Sequence, residues 1–465
     1  MNSEKWGHQT SAGGVNVRIA VIRHETLRPI TEGALYPSGW TARKVSFMTN
    51  STSDKIAVIG AGITGVTTAY MLARKGADVT LFEANPYPAM ETSYANGGQL
   101  SASNAEVWNS TATVLKGMKW MFKSGAPLLL NPKPSWHKYS WLAEFVAAIP
   151  KYRENTIQTV QWALQARAHL RTIAEEEGIN FDVEDRGILH VYGNKKDYDA
   201  GVKVSALLAE GGLERREMSP AEIAQIEPTL KGDLYGGIFT ESDFTGDIHK
   251  FTSELAKACQ RRGVVLRMST FVDNIDPAHG KVTISTRPAQ EKRSKKGGML
   301  TEVFDKVVIC SGVRSRDFAA NLGDRLNIYP VKGYSLTINL EDEANQAAAP
   351  MVSLLDDNAK IVTSRLGKTR MRVAGTAEFN GYNKDIVWNR VEPMLHWCHT
   401  YFPDMSTESF QSWAGLRPMM PNMLPRVAQG KNPAVFYNTG HGHLGWTLSA
   451  ATADIISDLA MARAA

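Results

Sequence analysis

The sequence predicts an α/β fold in which a Rossmann-like dinucleotide domain is interleaved with a second domain built on an antiparallel sheet. The buried-strand run Ile56, Ala57, Val58, Ile59 passes into Gly60-Ala-Gly62-Ile-Thr-Gly65 and a helical stretch over 66–75. Gly76 stops that helix, and a second strand over 79–82 completes a βαβ opening. Two further apolar strands, 306–310 and 435–437, each run into a glycine-containing turn far along the chain, so the domain is assembled from separated pieces. Between the pieces, the segments 187–192, 334–338 and 370–374 are strand-like and supply the antiparallel sheet.

The glycine turn gains weight from its setting between a strand and a helix, with an acidic residue, Glu83, at the end of the second strand. Gly60 permits the tight turn, Gly62 lets backbone approach a pyrophosphate, and Gly65 permits close helix packing. The helix N-terminus then meets negative charge. Glu83 would accept hydrogen bonds from ribose hydroxyls and disfavours a 2′-phosphate. The fingerprint alone does not separate a nicotinamide dinucleotide from a flavin one. The polar loop Glu91-Thr-Ser-Tyr-Ala-Asn-Gly-Gly-Gln-Leu-Ser101 is suited to covering a pyrophosphate and an isoalloxazine ring, or is an ordinary surface loop.

Helical stretches fall at 158–177 and 249–261, and a basic segment at 287–298 reads as a solvated loop between strands at 281–285 and 303–309. Near the end, Trp413-Ala-Gly-Leu-Arg417-Pro418 precedes Asn438-Thr-Gly-His-Gly-His-Leu-Gly445-Trp-Thr447, which introduces an apolar helix over 448–459. The chain's 465 residues exceed one hydrophobic core, and 43% hydrophobic with 21% charged residues is an ordinary globular balance. Lys and Arg (52) nearly match Asp and Glu (47), leaving a net +5, which gives no nucleic-acid footprint. Cys259, Cys310 and Cys398 lie too far apart to suggest a disulfide framework or a zinc site, and no apolar run is long enough to predict a transmembrane helix.

These motifs identify the chain, from Lys55 onward, as similar to the D-amino-acid oxidase superfamily, and most closely to its D-amino-acid dehydrogenase small subunits. Further strings carry the resemblance: Ala126-Pro-Leu, Thr245-Gly-Asp247, Pro330-Val-Lys-Gly-Tyr334-Ser-Leu-Thr and Arg372-Val-Ala-Gly-Thr-Ala-Glu378. The resemblance implies an FAD domain of glutathione-reductase type and oxidative deamination of a small D-amino acid, with electrons passed to a quinone or respiratory carrier. It implies FAD contacts from Gly60, Gly62, Ile63, Thr64, Gly65, Glu83, Thr92, Ser93, Gln99, Leu100 and Val272. A second set, Gly440, Gly442, Leu444, Gly445 and Thr447, would close on the flavin ring.

Arg417 is expected to capture the substrate carboxylate, because a planar, permanently charged fork suits bidentate binding; the alternative is a structural arginine paired to an acid. Tyr334 is either a second pocket residue, hydrogen-bonding substrate through its hydroxyl, or a core aromatic. His441 and His443 lack the further ligands of a metal site. Where the subfamily carries a polar turn after the arginine, this chain has Met420-Pro-Asn422-Met-Leu424-Pro425. A secondary-amine oxidase or dehydrogenase acting on sarcosine, glycine or D-hydroxyproline, and a non-catalytic flavoprotein subunit, stand as the other readings. The expected organisation is a loosely ordered extension over 1–47, FAD-domain pieces over 48–135, 245–325 and 409–465, and substrate-domain pieces over 136–244 and 326–408. A cytoplasmic protein is expected. The region of Trp120, Met121, Phe122, residues 128–130, Trp136, Trp141, Leu142 and Phe145 either rests at the inner face of the cytoplasmic membrane or packs over the substrate domain.

Overall fold

A computed structural model describes residues 53–120, 127–291 and 300–462; the extension expected over 1–47, and Met121 and Phe122, lie outside them. Lys55–Ile59 is the centre of a six-stranded sheet in the order Arg426–Gln429, Val435–Thr439, Lys306–Ile309, Lys55–Ile59, Asp78–Phe82, Val265–Arg267. Every neighbouring pair is parallel except the first. Alternation of side chains across the strand explains the uninterrupted apolar run, since both faces are covered. Ile56 and Val58 join the core beneath the helices Ile63–Arg74, Ile248–Arg261 and Gly445–Met461, while Ala57 and Ile59 join a second core on the other face. That second core is capped by a three-stranded antiparallel sheet, Thr270–Ala278, Lys281–Pro288 and Leu300–Phe304.

The strand expected over 303–309 divides at Asp305. Phe304 ends a strand of the small sheet, and Lys306 begins one of the large parallel sheet. The Asp305 carboxylate accepts from the Lys55 amide at 2.8 Å, which fixes the switch between sheets.

The second large sheet runs Phe410–Met419, Tyr329–Asn339, Arg370–Phe379, Ile361–Leu366, Ser353–Asp356, Ile188–Tyr192, Gly236–Thr240, Arg216–Met218, with Leu128–Leu130 beside Arg370–Phe379. It is antiparallel in most of its pairs, as expected, with two parallel exceptions: Ser353–Asp356 runs parallel to Ile188–Tyr192 and Leu128–Leu130 parallel to Arg370–Phe379. Both parallel partners arrive from distant segments, and such crossovers leave no short-range turn signal. One face is covered by the helix Trp388–Tyr401, whose Val391, Met394 and Trp397 pack with Tyr334, Leu336 and Ile338. Trp141 and Phe145 are buried in a further cluster with Tyr329 and Phe379, whereas Trp136 is 85% exposed.

Candidate active site

One cavity of about 1310 Å³ extends from the first glycine turn to Arg417. It exceeds the roughly 300–1,000 Å³ of a site for a drug-sized molecule. Gly60 has φ +101°, and a Cβ there would stand 2.9 Å from the Cys310 carbonyl oxygen. A Cβ on Gly65 would stand 1.8 Å from the Gly60 oxygen, so the helix Ile63–Arg74 seats directly on the turn. Gly62 differs. A Cβ there meets only Ser93 Oγ, at 3.5 Å, so the space above it belongs to the cavity. These are the properties of a cradle for a dinucleotide pyrophosphate.

Glu83 stands at the end of Asp78–Phe82, where its carboxylate accepts from the amides of Ala61 (2.7 Å) and Asn85 (2.8 Å). Ser93 Oγ accepts from the Ile63 amide at 3.0 Å and caps the helix start in the absence of a side-chain cap at Gly62. Thr92 donates its hydroxyl to the Leu416 carbonyl, and the Gln99 amide donates to Ser353 Oγ and the Leu354 carbonyl. Those two side chains therefore tie the loop over 91–101 to the second large sheet. Gly60, Gly62, Ile63, Thr64, Glu83, Thr92, Ser93, Gln99, Val272, Gly440, Gly442, Leu444, Gly445 and Thr447 all line the cavity. Gly65 and Leu100 lie behind it: Gly65 is in the helix, and Leu100 is 2% exposed and paired with Phe244.

Near the second glycine turn, Asn438 Oδ1, His443 Nδ1 and Trp446 Nε1 are buried without partners, and all three residues line the cavity. Unpaired buried polar atoms are rare in a finished site, and their clustering here suits bound groups with their own donors and acceptors. The Met-rich loop packs onto this turn. A Cβ on Gly440 would meet Met420 Cγ at 2.5 Å, and one on Gly442 would meet Met419 Sδ at 2.7 Å. The loop is anchored by Trp141 Nε1 donating to the Met419 carbonyl and Asn109 donating to that of Pro421. His441 is spent on Thr452 Oγ1 at 2.9 Å, and the described residues contain no metal-binding cluster.

Arg417 projects from Phe410–Met419, on the face that also carries Trp413 and Gly415. Its guanidinium lies flat across the neighbouring strand, where a Cβ on Gly333 would come within 2.3 Å of Cζ. Nη1 donates to the Thr376 carbonyl at 2.8 Å. Thr376 sits at φ +59° beside a register shift in Arg370–Phe379, an uncommon conformation for a β-branched residue. The bulge turns that carbonyl toward Arg417, and the cost, about 1–3 kcal/mol for such a conformation, falls where the site is built. No carboxylate lies within ion-pair distance of Arg417 among the described residues, so the paired structural arginine is not what is found. Enclosure in the cavity brings its pKa down to about 10, which leaves it charged at neutral pH. An enclosed guanidinium with free donors is a receptor for an anion.

Tyr334 has the opposite orientation. Register pairs it with Ala414, on the other face of the sheet from Arg417. Its hydroxyl donates to Glu378 Oε2 at 2.8 Å, its side chain is 1% exposed, and burial with the Glu378 hydrogen bond raises its pKa. Lys332 Nζ reaches Glu378 Oε1 at 3.1 Å and donates to Asn383 Oδ1 and the Asp385 carbonyl. The tyrosine thus belongs to a buried Lys332–Glu378–Tyr334 network and also forms part of the cavity wall beside Gly333. Gly333, Thr376 and Trp413 were not singled out from sequence, although the strings that contain them were. Nothing local marks them, because their roles depend on three strands meeting in register.

Comparison with known proteins bears on the same region. The family model described as FAD dependent oxidoreductase matches residues 55–459. A D-amino acid dehydrogenase 3 of Mesorhizobium japonicum is 57% identical over 404 residues, covering 87% of this chain and 96% of that protein. A D-amino acid dehydrogenase of Paramagnetospirillum magneticum is 37% identical over 422 residues, covering 88% and 95%. Among solved structures, glycine oxidase from Geobacillus kaustophilus shares the fold with a TM-score of 0.68 at 21% identity, over 88% of this chain and 95% of that one. L-proline dehydrogenase from P. horikoshii shares it with a TM-score of 0.67 at 14% identity, over 88% and 93%.

Proposed function

The chain belongs to the FAD dependent oxidoreductase family, and from that membership we propose that it oxidises small D-amino acids, such as D-alanine, to the 2-oxo acid and ammonia. The observation that carries the reading is Arg417: an enclosed, carboxylate-free guanidinium in the cavity that begins at the dinucleotide cradle.

Bound FAD supplies the two-electron acceptor for a hydride. The chain supplies position. Gly60, Gly62 and the start of Ile63–Arg74 would hold the pyrophosphate, Glu83 the ribose, and the turn from Gly440 to Thr447 the ring. Arg417 would clamp the substrate carboxylate, with its own plane fixed by Gly333 below and Thr376 at Nη1. Holding the carboxylate in one plane leaves the Cα hydrogen only the rotation about the bond from the carboxylate carbon to Cα, which is the entropic part of the catalysis that Arg417 can supply. No side chain is required as a base at Cα, and water hydrolyses the released imino acid.

Passage of electrons to a quinone or respiratory carrier is supported by the dehydrogenase names of the relatives. Peripheral membrane contact is supported by exposed Trp136 and Tyr139 on one helix; no helix among the described residues is long and apolar enough to cross a membrane. An absorbance scan of the purified protein tests the reading. Flavin bands that bleach anaerobically with D-alanine are expected, and return with a quinone analogue faster than with oxygen. Bleaching by sarcosine or glycine in preference to D-alanine would move the assignment to a secondary amine or glycine, and no bleaching by any amine would remove it.

A further inference from the structure

His443, on the second glycine turn, brings a ring nitrogen to the cavity wall with a definite chemical polarity. Its ring stacks on Trp108, centroids 4.6 Å apart and planes 22° from parallel. Nε2 stands 3.4 Å from the Asn104 carbonyl oxygen. A carbonyl can only accept, so Nε2 carries the proton and Nδ1 is left with its lone pair. That Nδ1 is buried, has no partner, and belongs to a residue of the cavity wall. Two contacts therefore fix the ring's plane and tautomer and leave one acceptor unused.

We propose that His443 Nδ1 accepts a hydrogen bond from the α-amino group of the substrate, orienting the nitrogen while Arg417 holds the carboxylate. The inference rests on the reading of Arg417 as carboxylate anchor. An α-amino acid presents its donor one bond beyond the carbon that bears the carboxylate, so a complete site needs an acceptor beside the anchor. Burial, helped by the positive charges of Arg417 and Lys360, holds the pKa of the imidazole down to about 3. The ring is thus an acceptor and not a cation across the ordinary pH range. A carboxylate seated on Arg417 offsets part of that positive field and strengthens the acceptor, so carboxylate recognition and amine orientation reinforce each other.

The holoenzyme with His443→Phe keeps the aromatic stack and loses the acceptor; His443→Asn places an amide oxygen near the position of Nδ1. Rapid-mixing flavin reduction by D-alanine gives affinity and rate, and the flavin spectral shift with propionate, which lacks an amine, reports carboxylate binding alone. In the flavin-loaded Phe variant the D-alanine concentration for half-maximal reduction should rise about tenfold or more, with propionate affinity unchanged. The Asn variant should recover most of the loss. Equal loss of D-alanine and propionate affinity, or a Phe variant reduced as readily as wild type, would overturn the proposal. A wild-type flavin that no amino acid reduces would instead overturn the functional reading beneath it.

Discussion

The guanidinium of Arg417 rests on the bare backbone of Gly333: a Cβ at that position would lie 2.3 Å from Cζ and Nη2 and 2.5 Å from Nη1. Gly333→Ala must therefore push the fork off its seat without removing its charge. We expect KM for an amino acid to rise about ten- to a hundredfold, the equivalent of about 1.4–3 kcal/mol, with flavin content intact. Unchanged KM in a folded Gly333→Ala protein would show that the guanidinium's plane does not matter.

Arg417→Lys keeps a cation and loses the bidentate geometry. Hydrogen bonds to charged groups contribute about 1.5–3 kcal/mol each, so a large rise in KM and some loss of turnover should accompany retained flavin. The informative comparison is between amino acids and the matching amines without a carboxylate. Wild type should prefer the former strongly, and Arg417→Lys and Arg417→Ala should lose much of that preference. Full discrimination by both variants would place the anchor elsewhere.

Two glycines of the first turn, Gly62 and Gly65, should fail in different ways. Gly62→Val projects into the cavity, where only Ser93 Oγ is near, so the protein should fold with the melting temperature of wild-type apoprotein and purify without flavin. Gly65→Ala would bring a methyl 1.8 Å from the Gly60 oxygen, so its defect should be in folding itself. Full flavin occupancy in Gly62→Val, measured by the absorbance ratio, would sink the cradle assignment.

Acid should destabilise the fold through buried neutral histidines. Burial lowers the pKa of His441 to about 3 and that of His190 to about 4, from an unfolded value of 6.5. Between these values the unfolded chain binds more protons, so the contribution is complete above about pH 6.5 and is lost as the pH falls through that window. For His441 the loss by pH 4 is about 3 kcal/mol. Chemical denaturation of His441→Gln should show a shallower decline from pH 6.5 to 4 than wild type; parallel curves would refute it.

The sequence and the structure part company at identifiable places. The βαβ opening was legible because one local pattern, apolar run then glycines then helical period, specifies a strand, a turn and a helix within 30 residues. Arg417 was legible as a residue type suited to an anion, and the absence of an acid beside it came only from the fold. Tyr334 could be read either way, because strand alternation is visible in sequence but the face presented to the site is not. Thr376 gave no warning: a β-branched residue at positive φ runs against local preference and is sustained by the strands around it. The parallel placement of Leu128–Leu130 and Ser353–Asp356 had no turn to announce it.

Chain geometry also bears on which molecules can react. Arg417 and the turn ending at Thr447 lie on one continuous stretch that is stitched to itself by the Met419–His441 bridge and by methionines packed against Gly440 and Gly442. On the reading proposed above, with Arg417 as carboxylate anchor and this turn holding the ring, their separation is a built-in ruler. Substrates that differ only in side chain keep the same carboxylate-to-Cα span and meet the ruler equally well. A β-amino acid carries its amine one carbon farther along, so the carbon that must lose hydride overshoots the mark, and such compounds should bind without being turned over.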